Sequence, residues 1–222
     1  MALDPDEPSI EQTIEALVGD LRPVAPLRLW RGVIAGLGLT ILAIGGVWLT
    51  FGLRADVSAL HPAPIVLARG VVLLAGGLIL LIAALRAALP GRADQGATVL
   101  GTMVLAIMPV GLMGLLLNGI VAGQRPNLAE LTPLVTLRCF GISLATSLLV
   151  GSGLVLWMRR AAPTDLARTG WLIGWTAAAL GTFAYSLFCP SQTMAYVTSV
   201  YPAAMLFAAT VIRFATPPLL RW

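Results

Sequence analysis

The sequence predicts an all-α fold: an integral membrane bundle of six helices behind a short amphipathic cytoplasmic helix. Three observations lead there. Of the 222 residues, 58% are hydrophobic and 11% charged, against about 25% charged in ordinary soluble domains. Apolar runs of spanning length recur six times along the chain. Short arginine-bearing segments separate them, unevenly divided between the two faces of a membrane. The same composition excludes a disordered chain, which would be poor in aliphatic residues, and two cysteines are too few for a disulfide scaffold. A lone histidine excludes bis-histidine haem and dedicated multi-histidine metal chemistry. The net charge of +4 would suit a nucleic-acid binder, but the arginines form no basic patch, so no direct contact with nucleic acid is expected.

The first element is a tail over residues 1–29, too short for a core of its own. Ser9 followed by Gln12 is a capping-box pattern, and Ile10, Ile14, Leu17, Val18 and Leu21 fall on one helical face away from Glu11, Glu15 and Asp20. The helix should stop near Arg22, because Pro23 and Pro26 follow. A helix of about a dozen residues is marginal alone, so it should order on a partner or on the rest of the chain. Surface-lying membrane helices carry basic polar faces, and this one is acidic. Two readings follow: Ile10, Ile14, Leu17, Val18 and Leu21 bind a basic protein partner, or the tail is a solvated start to the bundle. Tight capture of a partner would need more surface, for which inner loops 86–94 and 159–168 are the candidates.

The membrane domain is expected over 30–216, with 217–222 as a cytoplasmic C-terminus. Each span needs about 20 mostly apolar residues. The six runs are 30–53, 64–85, 97–121, 132–158, 170–188 and 194–212. The first is too long for a signal peptide, and its flank begins acidic at Asp4, Asp6 and Glu7. Arg69, Arg138 and Arg213 fall near span ends, where long side chains are expected to reach the headgroups. Pro109 and Asn118 in the third span fit a kink and an interhelical hydrogen bond as well as they fit a permeation path. Gly32 with Gly36, Gly141 with Ala145, and Gly170 with Gly174 place small residues one turn apart, where helix backbones can approach.

With a cytoplasmic amino terminus, ten arginines fall inside and only Arg54, Arg69, Arg125 and Arg138 outside. The positive-inside rule then puts both termini in the cytoplasm. Trp30, Trp157, Trp171 and Trp222 agree, at proposed inner boundaries, while Trp48 and Tyr196 mark the outer face.

Intramembrane enzymes and ion-coupled carriers keep ionisable groups in mid-bundle, and none is expected here. All ten acidic residues lie in the tail, the loops or the span ends. Gly151-Ser152-Gly153 lacks the glycine of an intramembrane serine-protease loop at Val150, and no buried histidine would activate the hydroxyl. A membrane thiol oxidase would want a C-x-x-C pair, whereas Cys139 and Cys189 stand 50 positions apart. The chain is therefore expected to have no catalytic residue and no cofactor. A small transporter or channel-like bundle shares the hydrophobicity and is the alternative, disfavoured by the acidic tail helix and the missing central charge.

Under this topology Cys139 and Cys189 lie at one level near the outer surface, on consecutive antiparallel helices, with His61 in an outer loop. Three readings are open: a structural disulfide, two unrelated buried thiols, or a functional pair that responds to oxidants or soft metals. Cys139, Cys189 and His61 supply three metal ligands at most, short of the four of a closed zinc site.

A resemblance covers nearly the whole length. It rests on residues 13–27, reading Thr-Ile-Glu-Ala-Leu-Val-Gly-Asp-Leu-Arg-Pro-Val-Ala-Pro-Leu, on Cys139 opening the fourth span, and on residues 156–164, reading Leu-Trp-Met-Arg-Arg-Ala-Ala-Pro-Thr. Ala184-Tyr185 ahead of Cys189 and the terminal Leu219-Leu220-Arg221-Trp222 complete it. In these the chain resembles the NrsF family (DUF1109), membrane anti-sigma factors of the bacterial inner membrane. The resemblance implies six spans and a cytoplasmic amino-terminal segment that holds an extracytoplasmic-function sigma factor inactive. It also implies a sensor pair, Cys139 and Cys189, through which heavy-metal or oxidative stress causes release, a soft metal ion being one inducer. Relatives place a histidine directly before the second cysteine; this chain has Phe188, which leaves His61 as its only imidazole.

Overall fold

The computed structural model describes residues 10–19, 28–52, 54–59, 61–87, 120, 123, 133–161, 165–189 and 194–220. Among them all regular structure is helical. The elements are α1 (Ile10–Gly19), α2 (Leu29–Phe51), the short α3 (Ala55–Ser58), α4 (Pro64–Ala87), α5 (Pro133–Met158), α6 (Leu166–Ser186) and α7 (Met194–Leu220). The expected third span, 97–121, with Pro109 and Asn118, lies outside the described residues apart from Ile120.

Helices α2, α4, α5 and α7 are long and apolar enough to cross a membrane. Helix α6, the expected fifth span, differs from them: nearly every residue from Thr169 to Ser186 is buried, including Thr169, Thr176, Thr182 and Ser186. It is the central helix, packed against α4, α5, α7 and α2. A helix surrounded by protein can carry hydroxyls that one facing lipid would leave unpartnered. Asp165 caps its start, accepting a bond from the Arg168 N–H at 3.0 Å.

Close approach explains why α6 is rich in small residues. A Cβ on Gly174 would meet the Ala209 backbone of α7, and one on Gly181 would meet the Ser147 backbone of α5. Hydroxyls then bridge the helices: Ser143 and Thr182 lie 3.0 Å apart, and Thr146 donates to the Gly181 carbonyl at 2.9 Å. Gly32 and Gly36 serve α2 likewise, against Leu85 and Leu81 of α4. The exposed Gly141 and Ala145 line an open groove of about 320 Å³ against Ala43, Gly46 and Phe51 of α2.

The bundle has two distinct ends. At one, Gly32 abuts Leu85 and Trp157, Gly170 abuts Arg213 and Thr216, and Arg159 Nε donates to the Leu219 carbonyl. At the other stand the end of α2, the first turns of α4 and α5, and the close of α6. The first end holds Arg28, Arg31, Arg86, Arg159, Arg160, Arg168 and Arg213; the second holds Arg54, Arg69 and Arg138. Helix α7 also exceeds its expected limit at 212 and runs through Pro217 and Pro218 to Leu220, across the expected boundary at 217. Prolines in a last turn forfeit only the bonds to the carbonyls of residues 213 and 214, and the Thr216 hydroxyl adds a bond to the Ile212 carbonyl at 2.7 Å.

Candidate functional site

The candidate site lies at the arginine-poor end and is built by the packing of α5 onto α6. Cys139, in the second turn of α5, is 4% exposed, and Cys189, three residues past the end of α6, is fully buried. Neither is in a disulfide. One apolar cluster holds them together with Tyr185, Phe188, Val197 and Tyr201. Tyr185 joins them directly: its hydroxyl donates to Cys139 Sγ at 2.6 Å, and the Cys189 thiol interacts with the same hydroxyl.

The backbone around Cys189 is held from two sides. The Tyr185 carbonyl accepts from the Phe188 N–H at 2.9 Å and the Cys189 N–H at 3.2 Å, closing α6. Arg69, five residues into α4, is fully buried. Its Nη2 donates to the Ser186 carbonyl at 2.6 Å and to the Cys189 carbonyl at 3.4 Å, and its guanidinium lies 5.7 Å from the centre of the Tyr201 ring. The last carbonyls of a helix lack intrahelical partners and carry partial negative charge, so a guanidinium there is satisfied inside the protein. This corrects the expectation that Arg69 reaches the headgroups: it is buried at the thiol end of the bundle. Arg138 does stay at the surface, 5.0 Å from the Phe51 ring.

Arg54 holds the same carbonyl from the loop after α2, its Nη1 donating to the Cys189 oxygen at 2.6 Å. Its other nitrogens grip Asp56 in a fork of 2.8 and 2.9 Å. Asp56 also accepts from the N–H groups of Val57 and Ala63 at 3.0 and 3.3 Å, which folds residues 54–63 over the end of the bundle. The Arg54 guanidinium holds the Asp56 carboxyl well below the usual range, at about 2. A depressed carboxyl stabilises the folded loop fully above its ordinary value of about 4 and loses that contribution only as pH falls towards 2.

The remaining candidates are placed elsewhere. His61 is exposed in the loop, its Nδ1 2.7 Å from the Ala59 carbonyl. Among the described residues no group of three or more His, Cys, Asp or Glu could hold a metal ion, so His61 does not complete a site with Cys139 and Cys189. On α1, Ile14 and Val18 are 54% and 59% exposed, one turn apart beside exposed Glu11 and Glu15. The side chains of Ile10 and Leu17, and the whole of Leu21, lie outside the described residues. Sequence reasoning sent Arg69 to the headgroups, gave Arg54 and Asp56 no part in a site, and met Tyr185 only within a family motif. One signal was available for Arg69: an ionisable residue inside an apolar run marks a site by default.

No curated protein and no solved structure matches the chain. The family described as NrsF, negative regulator of sigma F, matches residues 17–222, from the second half of α1 to the terminal tryptophan. With four helices apt for a membrane and a match of that extent, the chain belongs to the NrsF family and is a negative regulator of a sigma factor.

Proposed function

We propose that this protein is a non-enzymatic anti-sigma factor of the bacterial inner membrane that holds an extracytoplasmic-function sigma factor through its amino-terminal segment. It releases that factor when a soft metal ion or an oxidant acts on Cys139 and Cys189. One observation carries the sensing half: thiols 50 positions apart in sequence share one buried cluster at the end of the bundle remote from the start of α2. Signal and grip then sit on opposite sides of the membrane. A sigma factor pinned there through surfaces it needs for RNA polymerase cannot start transcription, and a change at the thiols shifts the helices that support the grip.

Further support comes from chain direction. Helix α4 finishes at the arginine-rich end and α5 begins at the thiol end, as alternation of six spans requires. The sequence offers six such spans when the apolar run 97–121 and α6 are counted. The arginine-rich end then faces the cytoplasm. The exposed Ile14 and Val18 present an apolar face next to acidic residues, the chemistry expected of a contact with a basic protein surface.

The test is target-gene output in cells, with and without cadmium or diamide. Cys139→Ser and Cys189→Ser should each keep the genes silent at rest and abolish induction. Replacing Ile14 and Leu17 together by aspartate should open the genes without stress, since charges would be desolvated in the contact. Full induction in both cysteine variants would remove the thiol trigger, and silence in the double aspartate variant would remove α1 as the grip.

A further inference from the structure

We infer that Tyr185 is the positioning residue of the thiol pair, the group that makes Cys139 the sulfur an inducer meets first. The inference rests on reading Cys139 and Cys189 as a sensor. A phenol has one hydrogen to donate and an oxygen that accepts. Here the hydrogen goes to Cys139 Sγ at 2.6 Å, across the α5–α6 contact, whereas Cys189 follows Tyr185 at the close of the same helix. The two thiols are therefore not equivalent.

The arrangement is fixed by the backbone. The Tyr185 carbonyl receives the Phe188 and Cys189 N–H groups, so the phenol and Cys189 leave one rigid helix end while Cys139 arrives from a different helix. At 4% exposure Tyr185 has little water to turn to, and a buried hydroxyl keeps the partner it has. Sulfur attacks electrophiles and binds soft metals in its anionic form. A hydrogen bond aimed at the sulfur stabilises negative charge growing there, and burial strengthens that bond. Cys139 gains this help from across the helix contact.

The experiment uses the purified full-length protein in detergent, with methyl methanethiosulfonate as the thiol probe and peptide mass as the readout. Cys139 and Cys189 are followed separately in protein that keeps both thiols, so that the phenol keeps its acceptor. Tyr185→Phe, which keeps the ring and removes the hydroxyl, should slow modification of Cys139 by about fivefold at neutral pH, the size of one charge-assisted hydrogen bond partly offset by changed nucleophilicity. Cys189 should change by less than about twofold, because the phenol hydrogen is directed at Cys139. Tyr201→Phe, a phenol of the same cluster, should leave Cys139 unchanged. A merely structural phenol would loosen packing and alter both thiols together. An unchanged Cys139 rate, or equal changes in both, overturns the assignment of Tyr185 and leaves the sensor reading to its own test. A selective slowing in a protein whose Cys139→Ser variant still releases the sigma factor under stress sinks the sensor reading, and the inference with it.

Discussion

Arg69 shows how a single side chain changes meaning between sequence and structure. By position it is five residues from the start of a span, where a long side chain can reach water. In the fold it lies under α6 and supplies donors to two carbonyls that the helix itself cannot satisfy. Arg69→Ala should therefore leave the Ser186 carbonyl short of a donor, while the Cys189 carbonyl keeps Arg54, and destabilise the protein by about 1–3 kcal/mol, read as lowered Tm in detergent. Arg69→Lys should recover only part of this, because an ammonium lacks the flat guanidinium face that lies against the Tyr201 ring and is more strongly hydrated, hence costlier to bury. An unchanged Tm in Arg69→Ala would show that the buried charge costs as much as its bonds return. Cys139 and Cys189 were legible as a pair because the alternation of spans set their common level. Their link through Tyr185 was not, since helix rotation decides which side chains meet and the apolar pattern of a spanning helix leaves rotation open.

At the scale of elements, the described spans were legible from length and hydropathy, with the last running on from its expected end at Ile212 to Leu220. Small-residue spacing also marked real contacts at Gly32, Gly36 and Gly174. It could not rank them. A Cβ on Gly174 would face the backbone of Ala209, which cannot turn aside as a side chain can, whereas one on Gly38 would meet nothing within 4 Å. Gly174→Ala should thus separate α6 from α7 at a cost of about 1–3 kcal/mol, while Gly38→Ala should be neutral or stabilise by about 0.5–1 kcal/mol through helix propensity. Thermal denaturation of the two variants side by side checks this, and equal Tm values would mean that α7 adjusts without loss. Helix α6 reads in sequence as a span like the others, with threonines as mild blemishes. Those threonines identify it as the centre, because hydroxyls are tolerated where other helices surround them.

For the whole molecule, the two ends carry different chemistry, one rich in arginine and the other holding the buried thiols under a loop pinned by Arg54 and Asp56. The proposed orientation rests on that asymmetry. In a background lacking both native cysteines, Ala59→Cys should react with an impermeant maleimide in intact cells, and Arg160→Cys only after permeabilisation; the reverse pattern would invert the proposed topology. The sequence by itself determined the class of protein, the stretches long and apolar enough to span, the end at which arginines gather and the shared level of Cys139 and Cys189. Those properties depend on composition and on distance along the chain, and both are written in the order of residues. Only the tertiary structure decided that α6 is the centre, that Arg69 is buried, that His61 stays apart and that Tyr185 stands between the thiols. These depend on how each helix is rotated and which neighbour covers it, and close contact between small residues sets that rotation, with hydrophobicity the same on every side.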